Sequence, residues 1–144
     1  MDALSLLHTD HLKVSKLLEE AAATTDRAVK KREELFKKIK SELMQHEKIE
    51  EKVFYPALRK DNPDAKDIVL EAGEEHHLIN EIIAELQEIP YDNEIWKAKF
   101  TVLKENIEHH VKEEEQVIFK KAKQVYNRQD LEQLAKEMQL IKDQ

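Results

Sequence analysis

The chain has 144 residues, a formal net charge of −7 and no cysteine. That length suits one domain with a real hydrophobic core, and the missing cysteines exclude disulfide frameworks, thiolate metal sites, iron–sulfur clusters and cysteine nucleophiles. One glycine and three prolines exclude sandwiches, barrels and other loop-rich folds, while Ala, Glu, Lys, Leu and Arg make up about half the residues, the composition of long amphipathic helices.

Five helices are expected. The first covers residues 2–23 and stops at Thr24-Thr25-Asp26. Asp26 reads as the N-cap of a second helix over 27–60, with Pro56 kinking or ending its last turns. Asp61-Asn62-Pro63-Asp64 is a turn signal, and Pro63 is placed to open a third helix over 64–88. That helix carries the lone Gly73 at a modest cost. Ile89-Pro90-Tyr91-Asp92-Asn93 forms the next turn, before a fourth helix over 94–126. Asp130, with Gln133 three residues on, starts a short fifth helix over 130–142. The expected fold is all-α: one domain, an antiparallel up-down four-helix bundle with the fifth helix on its outside or across one end.

The acidic balance argues against a nucleic-acid partner. No stretch approaches the run of about 20 apolar residues that spans a bilayer, and Asp2, Asp10, Lys13 and Lys16 break any signal-peptide core. A cytoplasmic protein without membrane contact is expected. The basic runs Lys30-Lys31-Arg32 with Lys37-Lys38, and Lys120-Lys121 with Lys123, read as solvated helix faces.

Alternating steps of three and four mark the inward face of a bundle helix. On the first helix they select Leu4, Leu7, His11, Val14 and Leu18; on the third, Val69, Ala72, His76, Ile79 and Ile83. The second gives Phe36, Ile39, Leu43, His46, Glu50 and Val53; the fourth, Phe100, Leu103, Ile107, His110, Glu114 and Val117. Second and fourth helices match at an offset of 64 residues, first and third at 65. The chain is a duplicated helical hairpin.

Each seam is apolar except at its middle, where all four helices carry His and two carry Glu. Burying two unpaired carboxylates costs several kcal/mol each, against a total stability of about 5–15 kcal/mol. A cation must sit there. His and Glu at i, i+4 share one helix face and can reach the same ion. Four imidazoles and two carboxylates suit iron, manganese or zinc. The count suggests two metals bridged by both Glu, each also taking two His, with coordination positions left open for a small molecule.

Asp10-His11, His46-Glu47-Lys48-Ile49-Glu50-Glu51 followed by Val53-Phe54-Tyr55-Pro56, Glu75-His76-His77, and His109-His110-Val111-Lys112-Glu113-Glu114-Glu115 resemble the hemerythrin-like, or HHE cation-binding, family of non-heme di-iron bundles. The resemblance implies His11, His46, His76 and His110 as terminal ligands and Glu50 and Glu114 as bridges. It implies two iron ions as cofactor, oxo- or hydroxo-bridged, with manganese or zinc as substitutes. Glu47, directly after His46, resembles an auxiliary carboxylate ligand of iron-sensing members. Oxygen-carrying members add a second His four residues after the third-helix ligand, where this chain has Asn80, and an Asp five residues after the last His, where it has Glu115. These departures lean toward sensing, storage or slow redox chemistry and away from reversible oxygen carriage. The Glu-x-x-His pairs of ferritin-like bundles are represented only by Glu74 and His77.

His8, His77 and His109 read as flanking surface residues, and the three–four pattern selects His76 over His77 and His110 over His109. Trp96 and Phe100, one turn apart, are expected to pack on the third or fifth helix. The functional expectation is a metal-binding module whose partner is dioxygen, a related diatomic molecule or peroxide, or one that senses iron or oxygen. The alternative is a di-iron oxidoreductase turning over peroxide, oxygen or nitric oxide.

Overall fold

A computed structural model describes all residues, 1–144. The chain is helical throughout, without strands: α1 (Ala3–Ala22), α2 (Val29–Ile49), α3 (Tyr55–Asp61), α4 (Lys66–Gln87), α5 (Glu94–Glu113), α6 (Phe119–Val125) and α7 (Arg128–Lys142). α2 runs into α3, and α5 into α6, through one wide π-type turn each, Glu50–Phe54 and Glu114–Ile118. The result is five rods. α1 packs on α2 and α5, and α4 on α5. α7 lies against α1, α2 and the first wide turn. No helix is long and apolar enough to cross a membrane.

The ends of the rods correct several expectations. Asp26 caps nothing: α2 starts at Val29 with Ala28 at its N-cap and no side-chain cap. Asn62, not proline alone, organises the next entry. Its side chain accepts from the Asp64 N–H, and a 3-10 turn over Pro63–Ala65 leads into α4. Asn127 is the N-cap of α7, in a reciprocal capping box with Asp130 at the third helical position. The last helix therefore begins two residues before Asp130.

The wide turns also correct the seam. In each, one extra residue enters the helix, so that Tyr55 N–H bonds Glu50 O and Phe119 N–H bonds Glu114 O. Beyond each turn the inward face therefore moves on by one residue. Phe54 and Ile118 are buried where Val53 and Val117 were expected; Val53 is only partly covered and Val117 is exposed. Pro56 does not end its rod, which continues to Asp61. The second wide turn has no proline near it, so such a turn does not require one.

Two apolar clusters flank the polar layer. One joins Leu4 and Leu7 of α1 to Phe54, Leu58, Ile118 and the inner face of α7, Leu131, Leu134, Ala135 and Met138. The other joins Val14 and Leu18 to Phe36, Ile39, Ile79, Ile83, Phe100 and Leu103. Trp96 belongs to the second cluster, stacked on Phe100 (centroids 5.0 Å apart) and edge-on to Phe36 of α2 at 6.1 Å, away from α7. Arg32, expected on a solvated face, is buried over Trp96 (4.7 Å). Its guanidinium donates to the Thr24 hydroxyl and carbonyl and to the Tyr91 carbonyl, closing the α1–α2 turn onto the α4–α5 turn.

Candidate metal centre

The four seam histidines and two seam glutamates meet at one level and are all buried. Their ligand atoms fall into two groups, each within 4.8 Å: His11, His46, Glu50 and Glu114, and Glu50, His76 and His110. His11 Nε2 lies 2.9 Å from Glu114 Oε1, and His46 Nε2 lies 3.3 Å from Glu50 Oε2. His76 Nε2 lies 3.1 Å from Glu50 Oε1 and 3.1 Å from His110 Nε2. Glu50 thus faces both pairs with one oxygen each. Glu114 sits chiefly with His11 and reaches His110 at 3.6 Å and His46 at 3.7 Å.

An outer ring of carboxylates, each on a different helical segment from the histidine it holds, orients the imidazoles. His11 Nδ1 donates to Glu115 (2.6 Å), His46 Nδ1 to Asp10 (3.0 Å), His76 Nδ1 to Glu51 (3.0 Å) and His110 Nδ1 to Glu75 (2.7 Å). The ring obeys the duplication, since Asp10 corresponds to Glu75 and Glu51 to Glu115. Holding Nδ1 fixes each ring and turns Nε2 inward, as carboxylate–histidine pairs do around metals. Asp10 is held in turn by Lys142 of α7 (2.6 Å). None of these four partners stands out along the seam, because each histidine and its carboxylate are far apart in sequence.

Two aromatic rings cap the layer. Tyr55 stacks on His76, and Phe119, its counterpart 64 residues later, on His11. The Tyr55 hydroxyl donates to Glu114 Oε2. The only trace of this contact in the sequence is a tyrosine where the other half has phenylalanine.

The electrostatics follow from burial and crowding. Burial favours neutral Glu114, yet its contacts with Glu50, His11 and His46 hold its carboxyl well below the usual range. Burial opposes charge on His46, but Glu50 and Asp10 raise it well above an ordinary histidine. His76, desolvated yet paired with Glu50, is raised to about 9. Protons on imidazole here balance the buried carboxylates. The balance is incomplete: both Glu50 oxygens and His46 Nε2 have no hydrogen-bond partner. Buried orphans of this kind are rare and costly. An imidazole and carboxylate set with unpartnered donor atoms fits iron, manganese or zinc.

The model of the hemerythrin HHE cation-binding domain matches residues 2–122. The chain belongs to that family. Its fold is similar to the crystal structure of a hemerythrin HHE cation-binding domain-containing protein from Mycobacterium kansasii, at a TM-score of 0.87 and 23% identity, over 99% of this chain and 86% of that one. No curated protein matches the chain. Within this hemerythrin-like fold, Glu47 stands apart from the six converging residues. It is buried, with Oε1 unpartnered, and belongs to neither group of converging atoms. His8, His77 and His109 are exposed. His8 adds a second hydrogen bond to Glu115, and His109 lies beside Glu75 and Glu113.

Proposed function

We propose that the protein binds two metal ions, iron in the cell, and that the pair serves to bind or sense dioxygen or a related small oxidant. On this proposal the four long rods form an antiparallel bundle around that centre. His11, His46, Glu50 and Glu114 would hold one ion and His76, His110 and Glu50 the other, with Glu114 within reach of the second through His110. The observation that carries this is Glu50, a fully buried carboxylate whose two oxygens make no hydrogen bond and lie between two pairs of inward-facing Nε2 atoms.

Iron held there would supply one-electron redox chemistry and open coordination positions. The chain's own groups do the rest. Asp10, Glu51, Glu75 and Glu115 keep the imidazoles in orientation. Tyr55 holds one carboxylate oxygen of Glu114, and the apolar layers on both sides exclude bulk water.

Anaerobic ferrous titration of chelated protein tests the assignment. Glu50→Ala should weaken both ions and Glu114→Ala chiefly one. His76→Ala and His110→Ala should each lose an ion, whereas His77→Ala and His109→Ala bind as the wild type. Full loading of His76→Ala beside an empty His77→Ala would contradict it.

A further inference from the structure

A small cavity of about 20 Å³ borders the four histidines on the face formed by Val14, Leu43, Ile79 and Ile107, the next apolar layer of the seams. Roughly 10–15 Å³ of such space holds one water molecule, so the cavity admits a ligand of one or two heavy atoms and no organic substrate. Its two flanks are closed by residues that the duplication makes equivalent, Glu47 and Val111.

The flanks differ in chemistry. Glu47 closes its side with a carboxyl, and the residue also lines an outer groove together with Lys40, Lys48 and Asn80. Val111, only partly buried, closes the side between α1 and α5 with a methyl-bearing side chain. Outside it lies a crevice of about 230 Å³, and crevice and cavity share His11, Val14, Ile107 and Val111 as common wall. One layer of side chains therefore separates solvent from the histidines on this flank. Apart from His11 that wall is apolar, whereas the other flank requires displacing a buried carboxyl.

We propose that uncharged molecules of two heavy atoms enter between α1 and α5, with Val111 and Val14 as the gate that sets their size. What such a molecule meets inside rests on the metal reading above; the route itself does not.

The route is tested first on chelated protein under dissolved oxygen, by paramagnetic relaxation of the Ile79 and Ile107 methyl resonances. Wild type should show strong enhancement, Val111→Phe at least a several-fold loss, and Val111→Ala a gain. Nitric oxide association with ferrous-loaded protein should then slow at least ten-fold in Val111→Phe at unchanged iron content, and quicken in Val111→Ala. Asn80→Phe, on the opposite flank, should change neither. Unchanged enhancement and association in folded Val111→Phe would overturn the route, as would losses confined to Asn80→Phe. A wild type that holds no iron but shows the methyl enhancement would refute the metal reading and leave the route standing.

Discussion

Tyr55 and Phe119 occupy the same position in the two halves of the duplication, and each ring lies over a buried histidine. The Tyr55 ring centroid is 5.6 Å from that of His76, and the Phe119 centroid 6.2 Å from that of His11. One hydroxyl distinguishes them, and it is spent on Glu114. Two chemically matched half-sites are thereby made unequal.

Removing that hydroxyl leaves a buried carboxylate oxygen without its donor. Hydrogen bonds to charged groups contribute about 1.5–3 kcal/mol, so Tyr55→Phe should destabilise chelated protein by roughly that amount in urea melts. Unchanged stability would show that the Tyr55 hydroxyl does not hold Glu114.

The wide turns set a test of register. Phe54 and Ile118 are buried, while Val53 is half-covered and Val117 exposed. Large-to-small changes in a core cost about 3–5 kcal/mol for Phe and 2–5 for Ile, so Phe54→Ala and Ile118→Ala should fall in those ranges. Val117→Ala should cost under about 0.5 kcal/mol, as exposed substitutions do. The reverse order would restore the uninterrupted three–four seam.

Gly73 has no positive φ, and a Cβ built on it meets nothing within 4 Å. It bears the usual penalty of glycine inside a helix without any close contact to justify it. Gly73→Ala should therefore stabilise the protein by about 0.5–1 kcal/mol. A fall in melting temperature would contradict the open space beside it.

Stability should depend on pH in a way that metal removes. In chelated protein, His76 is raised from 6.5 to about 9 by its pairing with Glu50 against the cost of burial. A raised histidine stabilises the fold fully below its unfolded value and loses that contribution as pH climbs through the folded one. Chelated protein should thus weaken between about pH 6.5 and 9. Glu114, held low, acts oppositely: its contribution is present above the ordinary carboxylate range and lost on acidification. Iron-loaded protein should be flat across the alkaline window, because the ion replaces the protons. Equal alkaline loss with and without metal would contradict that exchange.

The buried histidine–glutamate layer was legible because burial is periodic. A three–four step selects His76 and His110, which are buried, over His77 and His109, which are exposed. The five rods were legible because breakers are few. What could not be read depends on contacts between distant segments. Asp10 with His46, Glu51 with His76 and Tyr55 with Glu114 join residues 25–59 positions apart. The extra residue in each wide turn leaves no sequence mark, since Glu50-to-Phe54 and Glu114-to-Ile118 are steps of four that an ordinary helix also permits. Arg32 misled because its charge resembled its neighbours' and its three acceptors lie outside its own helix.

Metal content tests the central claim most directly. Untagged protein, purified without added metal or chelator, is assayed by elemental analysis against chain concentration. The account predicts close to two iron ions per chain, falling toward zero in Glu50→Ala. Less than one transition-metal ion per wild-type chain, with no uptake of added ferrous iron after chelation, would contradict it.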